Sequence, residues 1–314
     1  MTEKLAYGPV PSRRLGQSMG INNIPPKTCT YACVYCQLGE TTQMQVKRDS
    51  FYSVEKIYDN VKERVRIAEE NNETIDYITF VPDGEPTLDE NIGEEIKAVK
   101  EFGYKIAVIS NSSLIWDDDV KEALYEADWV SFKVDAVDRD IWKKLNRPYK
   151  DLDLERILEG IEEFSLNFTG ELTTETMLVE GLNDGTESLE RIAEKITEIN
   201  SDISYIAVPT RPPAEDWVNP PHESKINEAY QIFKERGLEV EYLIGYEGDT
   251  FASSGDVEDD LLSITSVHPM RERQVDKLLS KSGKDWDDVE KLIDEGKLIE
   301  TEFKSDKFYM RKLN

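Results

Sequence analysis

Three thiols lie close together in residues 25–39, which read PPKTCTYACVYCQLG. They are Cys29, Cys33 and Cys36, spaced as C-x3-C-x2-C, and the chain has 3 cysteines in all. An odd number of cysteines cannot pair completely within one chain, and closely spaced thiolates are typical ligands of zinc or of iron–sulfur clusters. The segment is therefore a candidate metal site.

Three interpretations of these cysteines compete. Positions i, i+4 and i+7 share one helix face, so the thiols could be core packing, although Pro25 and Pro26 favour a loop. Structural zinc usually takes four ligands, and the 2 histidines, His222 and His268, are distant in sequence. A [4Fe–4S] cluster usually takes four cysteines, so three leave one iron with an open position. Catalytic metals keep such a position, which favours the third interpretation.

The length and the net charge limit the classes of protein to which the chain can belong. The chain has 314 residues and 39% hydrophobic content, enough for one large domain and a small one. Its net charge of −27 disfavours nonspecific binding to nucleic acid or to an anionic membrane. The N-terminus shows no signal pattern and no apolar run nears a membrane span, so we expect a soluble, cytoplasmic protein.

Strand and helix patterns alternate along the chain. Candidate strands are residues 18–24, 74–81, 105–110, 129–136, 171–179, 204–209 and 238–244. Candidate helices are residues 54–71, 90–102, 117–127, 153–165, 186–199 and 223–236. This alternation predicts an α/β protein with a parallel sheet. About six β/α units are too few for a closed barrel, so we predict a partial (β/α)6 TIM-like barrel with its chemistry at the carboxyl ends of the strands.

The pattern changes near residue 250. Residues 249–260, DTFASSGDVEDD, read as a linker. Residues 271–283 and 285–296 read as two helices ending at glycine, and residues 297–313 read as two strands. We predict a barrel over residues 1–250 and a small winged-helix-like unit over 251–314. Residues 261–314 hold eleven basic and eleven acidic residues, so a nucleic-acid role and a docking role both stay open.

The cysteine spacing, with the aromatic Tyr35 before the last cysteine, resembles the radical S-adenosylmethionine (SAM) superfamily over residues 5–245. The resemblance implies an oxygen-sensitive oxidoreductase whose Cys29, Cys33 and Cys36 hold a [4Fe–4S] cluster, with the amino acid end of SAM on the open iron. The reduced cluster would cleave SAM to a 5′-deoxyadenosyl radical that abstracts hydrogen from a substrate. The electron would come from an external donor, a ferredoxin or a flavodoxin.

Residues 7–22, YGPVPSRRLGQSMGIN, resemble an uncharacterised branch of that superfamily. The branch is grouped loosely with wyosine-synthase-like and NifB-like proteins and is sometimes labelled Obg-related GTPase. The chain contains no G-x4-G-K-S/T motif, so a P-loop GTPase is not supported. It also has no second set of cysteines, which weakens the wyosine label and leaves no cysteine ligands for an auxiliary cluster.

Several residues after the strands resemble the SAM-binding positions of the family. Residues 83–86, DGEP, are similar to its Gly-Gly-Glu-Pro motif, whose backbone helps to hold the SAM amino group; Asp83 replaces a glycine that is often seen there. Asn111 and Ser112 follow the third strand, where family members use polar groups on SAM. The implied cofactor-binding residues are Tyr35, Asp83, Gly84, Glu85, Pro86, Asn111, Ser112, Lys133, Asp135, Glu175 and Met177.

Lys133 and Asp135 share one face of the fourth strand by alternation. Charges inside an apolar strand are costly unless they are paired or bound to a ligand. The resemblance implies that Lys133 meets the SAM carboxylate and Asp135 the ribose hydroxyls, and a plain ion pair is the alternative. Glu175 and Met177 on the fifth strand are placed similarly.

Arg13, Arg14 and Arg211 are basic residues in the acidic part of the chain. Guanidinium groups suit carboxylate or phosphate, which suggests an anionic substrate, although surface ion pairs are an equal alternative. Transfer RNA, a peptide, a lipid or a small metabolite all remain open as substrates. Rival functions are a tRNA-modifying enzyme, a cluster scaffold, and an iron–sulfur regulator that senses oxygen or SAM and binds DNA. The acidic segment DWDDVEKLIDEG disfavours the regulator.

Overall fold

The computed structural model describes residues 4–244, 251, 253, 256–266 and 268–312. The strands are β1 (Ala6–Ser12), β2 (Gly16–Ile21), β3 (Thr28–Cys29), β4 (Gln43–Met44), β5 (Tyr77–Phe80), β6 (Lys105–Ser110), β7 (Trp129–Lys133), β8 (Glu171–Met177), β9 (Ile203–Ala207), β10 (Val240–Leu243), β11 (Met270–Arg271), β12 (Leu298–Phe303) and β13 (Asp306–Arg311). The helices are α1 (Val54–Glu70), α2 (Ile92–Val99), α3 (Asp118–Leu124), α4 (Arg139–Leu145), α5 (Leu154–Ser165), α6 (Thr186–Ile199), α7 (Glu223–Glu235), α8 (Val257–Thr265), α9 (Glu272–Ser282) and α10 (Trp286–Asp294).

The main sheet curls into an open barrel. Its 8 strands run in the order β1-β2-β5-β6-β7-β8-β9-β10. From β2 to β10 every neighbouring pair is parallel, and the helices between them form the crossovers. The partial-barrel prediction is confirmed, and β1 and β10 form the two edges of the sheet.

The strand β1 was not predicted from the sequence. It pairs antiparallel with β2, so the sheet is mixed rather than wholly parallel. Its sequence AYGPVPS contains Pro9 and Pro11, which lack the N–H of a ladder bond and argue against a strand. The position explains the exception, because prolines are tolerated on an edge strand.

The two faces of the sheet differ in polarity. Outward residues such as Ile78 and Phe80 are fully buried in the large core under the helices. The alternating residues face inward, where Thr79, Lys133 and Glu175 line a cavity. Period-two alternation therefore puts the large apolar core outside the barrel and a mixed polar and apolar lining inside it.

Helix α4 was also missed by the sequence pattern. It is short, and its N-cap residue is Asp138, whose side chain accepts hydrogen bonds from the backbone N–H groups of Asp140 and Ile141. Only Trp142 and Leu145 are buried, which is too few to give a clear helical period. The longer helices were predicted closely because each carries a continuous apolar stripe, as in α6.

The described residues beyond 256 form three helices and a three-stranded antiparallel sheet of β11, β13 and β12. The predicted linker is wrong from residue 257, where α8 begins, because the Asp256 carboxylate accepts from Asp259 N and caps the helix. Apolar residues of α8 pack with Tyr7 and Val10 of β1. Residues 249–250, 252 and 254–255 of that prediction lie outside the described residues.

No helix within the described ranges has the length and apolar character needed to cross a bilayer.

Candidate functional site

The cysteine loop follows β2 and lies where the parallel strands end. Cys29 belongs to β3, which pairs with β4 in a small sheet of its own. The backbone of Cys36 donates to the Cys33 carbonyl at 3.1 Å, which closes a tight turn between these two thiols. The loop therefore presents its cysteines at the barrel end where α/β folds place their chemistry.

The three thiols are free and partly exposed. Asn111 Nδ2 lies 3.4 Å from Cys29 Sγ, and Asn146 Nδ2 lies 3.5 Å from Cys33 Sγ, so two sulfurs have an N–H donor. Desolvation and neighbouring acids raise the pKa of Cys33 to about 12, and the pKa values of Cys29 and Cys36 are also raised. A bound metal would reverse this preference, because a coordinated thiol loses its proton. Among the described residues, no three His, Cys, Asp or Glu side chains converge on a single-ion site.

Glu85 ties the DGEP segment to the end of β6. Its carboxylate accepts from Thr87 N at 3.1 Å and Thr87 Oγ1 at 2.6 Å, and from Ser110 Oγ at 2.8 Å and Asn111 N at 2.7 Å. Burial raises the pKa of Glu85, while these donors oppose the increase. With both oxygens engaged inside the protein, Glu85 positions Asn111, and Pro86 starts the short 3-10 helix that follows.

Gly84 brings the DGEP segment against the cysteine loop. Its φ is +149°, and a Cβ at this position would lie 1.9 Å from the carbonyl oxygen of Thr28, next to Cys29. Lys27 N donates to the Asp83 carbonyl at 2.8 Å, and Lys27 Nζ lies 3.4 Å from Asp83 Oδ2. Burial raises the pKa of Asp83 to about 6, although Lys27 lowers it in part. Only glycine permits the close approach of residue 84 to the Thr28 carbonyl.

Asn111 and Ser112 face different partners. Asn111 Nδ2 also donates to Thr30 Oγ1 at 2.9 Å, so its side chain is directed at the cysteine loop. Ser112 is buried and donates to the carbonyl of Lys133 at 2.7 Å. The first therefore orients the thiol loop, and the second fixes the end of β7.

Glu175 lies between two cations inside the barrel. Lys133 Nζ is 2.5 Å from Glu175 Oε1, and Arg14 Nη1 is 2.5 Å from Glu175 Oε2. The Arg14 guanidinium lies 5.7 Å from the ring centroids of Trp129 and Tyr205. Burial opposes ionisation of Glu175, but Lys133 and Arg14 outweigh it and lower its pKa to about 2. The three groups form a partly buried cluster with net positive charge.

Replacing Glu175 by glutamine is expected to destabilise the fold at pH 7 by roughly 3 kcal/mol, because two partly buried cations lose their buried counter-charge. The folded pKa of about 2 lies below the ordinary value of 4.5, so this contribution is complete above about pH 4.5 and disappears as the pH falls towards 2. Urea unfolding of both proteins at pH 7 and pH 3 measures the difference.

The control is Glu63→Gln on the exposed Glu63–Arg66 pair, which solvent screens, so this substitution should change stability far less. A Glu175→Gln penalty that is equally large at pH 3 and pH 7 would mean that the ion pair is not its source.

Asp135 is buried and engaged within the protein. It accepts hydrogen bonds from the Tyr35 hydroxyl, from Asn146 Nδ2 at 2.8 Å and from Met177 N at 2.8 Å. Lys133 Nζ lies 5.2 Å from the centroid of the Tyr35 ring. Asp135 thus holds Tyr35 beside Lys133 and orients Asn146 toward Cys33.

A cavity of about 290 Å³ joins the thiol loop to the charged cluster. Cys36 lines it, as do Lys133, Glu175 and Met177 from the strands. The full lining consists of residues 10–15, 35–38 and 208–211 with Tyr7, Ser18, Thr79, Val81, Ile109, Lys133, Glu175, Met177 and His268. A ligand in this space can contact a thiol, an ion-pair cluster and the apolar inner wall together.

The three arginines predicted at a substrate site all line this cavity. Arg13 and Arg14 lie in the turn between β1 and β2, and Arg13 donates to the carbonyl of Leu243. Arg211 Nη1 lies 2.5 Å from Gln37 Oε1, and its Nη2 lies 3.0 Å from His268 Nε2. His268 is partly buried and lines the cavity, because the chain beyond α8 brings it over the barrel.

Sequence reasoning missed Asn146, Gln37 and His268. Asn146 contacts Cys33, Tyr35 and Asp135 but follows a helix that was not predicted. Gln37 lies directly after Cys36, and this adjacency is the one sequence signal that could have found it.

The sequence model of the Radical SAM superfamily matches residues 23–196. The UPF0026 protein MJ1312 of Methanocaldococcus jannaschii is 48% identical over 311 residues, covering 98% of this chain and 96% of the relative. A protein named GTPase Obg from Brachyspira hyodysenteriae is 34% identical over 232 residues, which cover 74% of this chain but 34% of that protein.

Among solved structures, a radical SAM methyltransferase from Sphaerobacter thermophilus superimposes with a TM-score of 0.56. It is 16% identical and the match covers 72% of this chain and 66% of that one. At this identity the likeness describes the fold of the barrel.

Proposed function

Because the chain belongs to the radical SAM superfamily, we propose that it is a cytoplasmic, oxygen-sensitive radical SAM enzyme whose Cys29, Cys33 and Cys36 hold one [4Fe–4S] cluster. The cluster, when bound, supplies the electron that cleaves SAM to methionine and a 5′-deoxyadenosyl radical, which takes a hydrogen atom from a second substrate. The observation that carries this proposal is the placement of all 3 cysteines on one loop that opens into a charged cavity at the strand ends.

The donor set supports a cluster. Three thiols cannot complete the four cysteine ligands of such a cluster, so one iron is left for SAM. The amide groups of Asn111 and Asn146 reach Cys29 Sγ and Cys33 Sγ, and N–H donors to cysteine sulfur raise the reduction potential of iron–sulfur centres. Replacing either asparagine should therefore change the reduction potential of the cluster, with a smaller effect on the stability of the fold.

We assign the cavity-facing side chains to SAM. Lys133 is assigned to the carboxylate of SAM. Its ammonium group also pairs with Glu175, so the two carboxylates would share one cation. Tyr35 and Met177 supply the neighbouring wall. The backbone of residues 83–86, beside the cysteine loop, is assigned to the amino group, and Asp83 adds a negative charge next to it.

Three of the residues that the family resemblance connects with SAM are assigned positioning roles. Glu85 has both oxygens engaged with β6, Ser112 is bonded to β7, and Asp135 holds Tyr35 and Asn146. Their direct contacts are with the protein, so each acts on the ligand through the group that it orients.

We propose an anionic second substrate. Arg13, Arg14 and Arg211 all line the cavity of a chain whose net charge is −27. Guanidinium groups collected in one cavity suit a carboxylate or phosphate group. The arginines already contact protein groups, so a substrate would join or exchange with those contacts.

We treat residues 1–250 as the barrel and 251–314 as a unit that covers it. His268 from this unit lines the cavity and contacts Arg211, which supports a role in closing the substrate site. The helix α10 carries acidic residues in its first turn, which suits neither a DNA groove nor a phosphate backbone.

The experiment is anaerobic reconstitution with iron and sulfide, followed by addition of SAM and dithionite. The proposal predicts 5′-deoxyadenosine and methionine in equal amounts. A protein that holds four irons per chain and yields no 5′-deoxyadenosine would contradict it.

A further inference from the structure

Residues 141–150 form a basic segment in an acidic protein. The sequence IWKKLNRPYK has four basic residues and no acidic one, in a chain with 38 basic and 65 acidic residues. Lys143, Lys144, Arg147 and Lys150 are all exposed. This segment, from the second half of α4 to the following loop, is here named the basic segment.

Most of its charge is not neutralised. Within the part of the chain that the structure describes, Arg147 pairs with Glu215, whereas Lys143, Lys144 and Lys150 make no ion pair. Many other surface lysines pair with a nearby acid, as Lys195 does with Glu162. Three lysines without a counter-charge give this surface a local positive potential that the rest of an acidic chain opposes.

The basic segment is attached to the cysteine loop by its backbone. Val34 N donates to the Leu145 carbonyl at 2.9 Å, Ala32 N donates to the Asn146 carbonyl at 3.0 Å, and Tyr149 N donates to the Thr30 carbonyl at 2.9 Å. These bonds span the stretch of loop that carries Cys33. Lys144 and Lys150 therefore each lie next in sequence to a residue that is bonded to the thiol loop.

We propose that the basic segment is the docking surface for a small acidic one-electron carrier protein. The inference rests on the proposed function, because a site that works by reduction needs an electron from outside. In each encounter the reduced carrier would lose one electron and the cysteine-held group would gain it, with no bond made or broken. Docking beside Cys33 gives the electron a short path that avoids the substrate cavity.

Charge complementarity selects this partner. An acidic carrier would be repelled by most of a chain of net charge −27, so a basic segment bonded to the cysteine loop orients its approach. Asp140 and Asp151 flank the segment directly, which limits it to a small contact and disfavours a long phosphate backbone. A compact acidic protein fits such a patch better than an RNA does.

The test is a triple variant, Lys143→Glu, Lys144→Glu and Lys150→Glu, with a control of equal charge change, Lys62→Glu, Lys105→Glu and Lys312→Glu. All six lysines are exposed. Binding of an oxidised acidic ferredoxin is measured by calorimetry at low and moderate salt. The basic-segment variant should bind at least about tenfold more weakly and lose most of the salt dependence, while the control changes by less than about threefold.

A second readout separates docking from chemistry. SAM cleavage driven by reduced ferredoxin should fall about tenfold in the basic-segment variant, while cleavage driven by dithionite stays at the unaltered rate. Equal weakening in both triple variants, or unchanged ferredoxin binding, would overturn the docking surface. Loss of transfer RNA binding with ferredoxin binding unchanged would assign the segment to RNA instead. If the unaltered protein cleaves no SAM with dithionite, the proposed function fails, and the binding comparison still decides the docking surface.

Discussion

Replacing any one of Cys29, Cys33 and Cys36 by alanine is expected to abolish SAM cleavage, with a loss of at least about a thousandfold. Two remaining thiolates cannot hold a four-iron cluster stably, and no fourth cysteine exists in the chain to substitute. Serine should fail as well, because a hydroxyl is a poor ligand for iron beside soft thiolates. Iron content, the visible absorption of the reconstituted protein and the yield of 5′-deoxyadenosine measure the effect.

A matched control is Thr42→Ala, an exposed position in the same loop, which should keep its iron and its turnover. The cysteines are only partly buried, so the alanine variants should fold, with circular dichroism spectra like that of the unaltered protein. A single alanine variant that retained four irons and cleaved SAM at the original rate would contradict the ligand assignment.

Gly84→Ala is expected to have the second largest effect. The added Cβ would stand 1.9 Å from the Thr28 carbonyl oxygen, and alanine rarely adopts a φ of +149°. The DGEP segment and the cysteine loop would have to separate, which moves Cys29. We expect a loss of roughly 3 kcal/mol or more in the free energy of unfolding and little cluster incorporation after reconstitution.

The control for this substitution is Gly103→Ala, whose φ is +80° but whose Cβ would meet nothing within 4 Å. It carries the backbone cost without the clash, so it should lose about 1 kcal/mol and keep its iron. Urea unfolding and iron content compare the two. Equal behaviour of both alanine variants would show that the contact between Gly84 and Thr28 does not hold the cysteine loop.

The barrel was predictable because its pattern is local. The strand β6 and the helix α6 were predicted with the bounds that the structure has, since alternating apolar residues and a continuous helical stripe mark each of them. The cysteine spacing was equally local. The edge strand β1 was missed because its prolines argue against a strand, and its pairing with β2 is established only in the folded sheet. The helix α8 was missed because its acidic first turn resembles a polar linker.

Side-chain partners were less predictable, since they depend on residues far apart in sequence. Arg14 and Glu175 are separated by 161 positions, and no local pattern links them. The sequence predicts Glu85 and Asp135 as site residues, but the number of buried hydrogen bonds that each makes depends on tertiary packing. His268 reaches the cavity only because the unit that carries it packs on β1.

Electron paramagnetic resonance of the reconstituted, dithionite-reduced protein tests the central claim most directly. If three cysteines hold a [4Fe–4S] cluster with one iron open, the reduced protein will show a spectrum of an S = 1/2 cluster, and SAM will shift its g values by binding to that iron. The same SAM-induced shift should persist in Thr42→Ala. A cluster signal that SAM leaves unchanged would contradict the account, because it would mean that no iron is available to the cofactor.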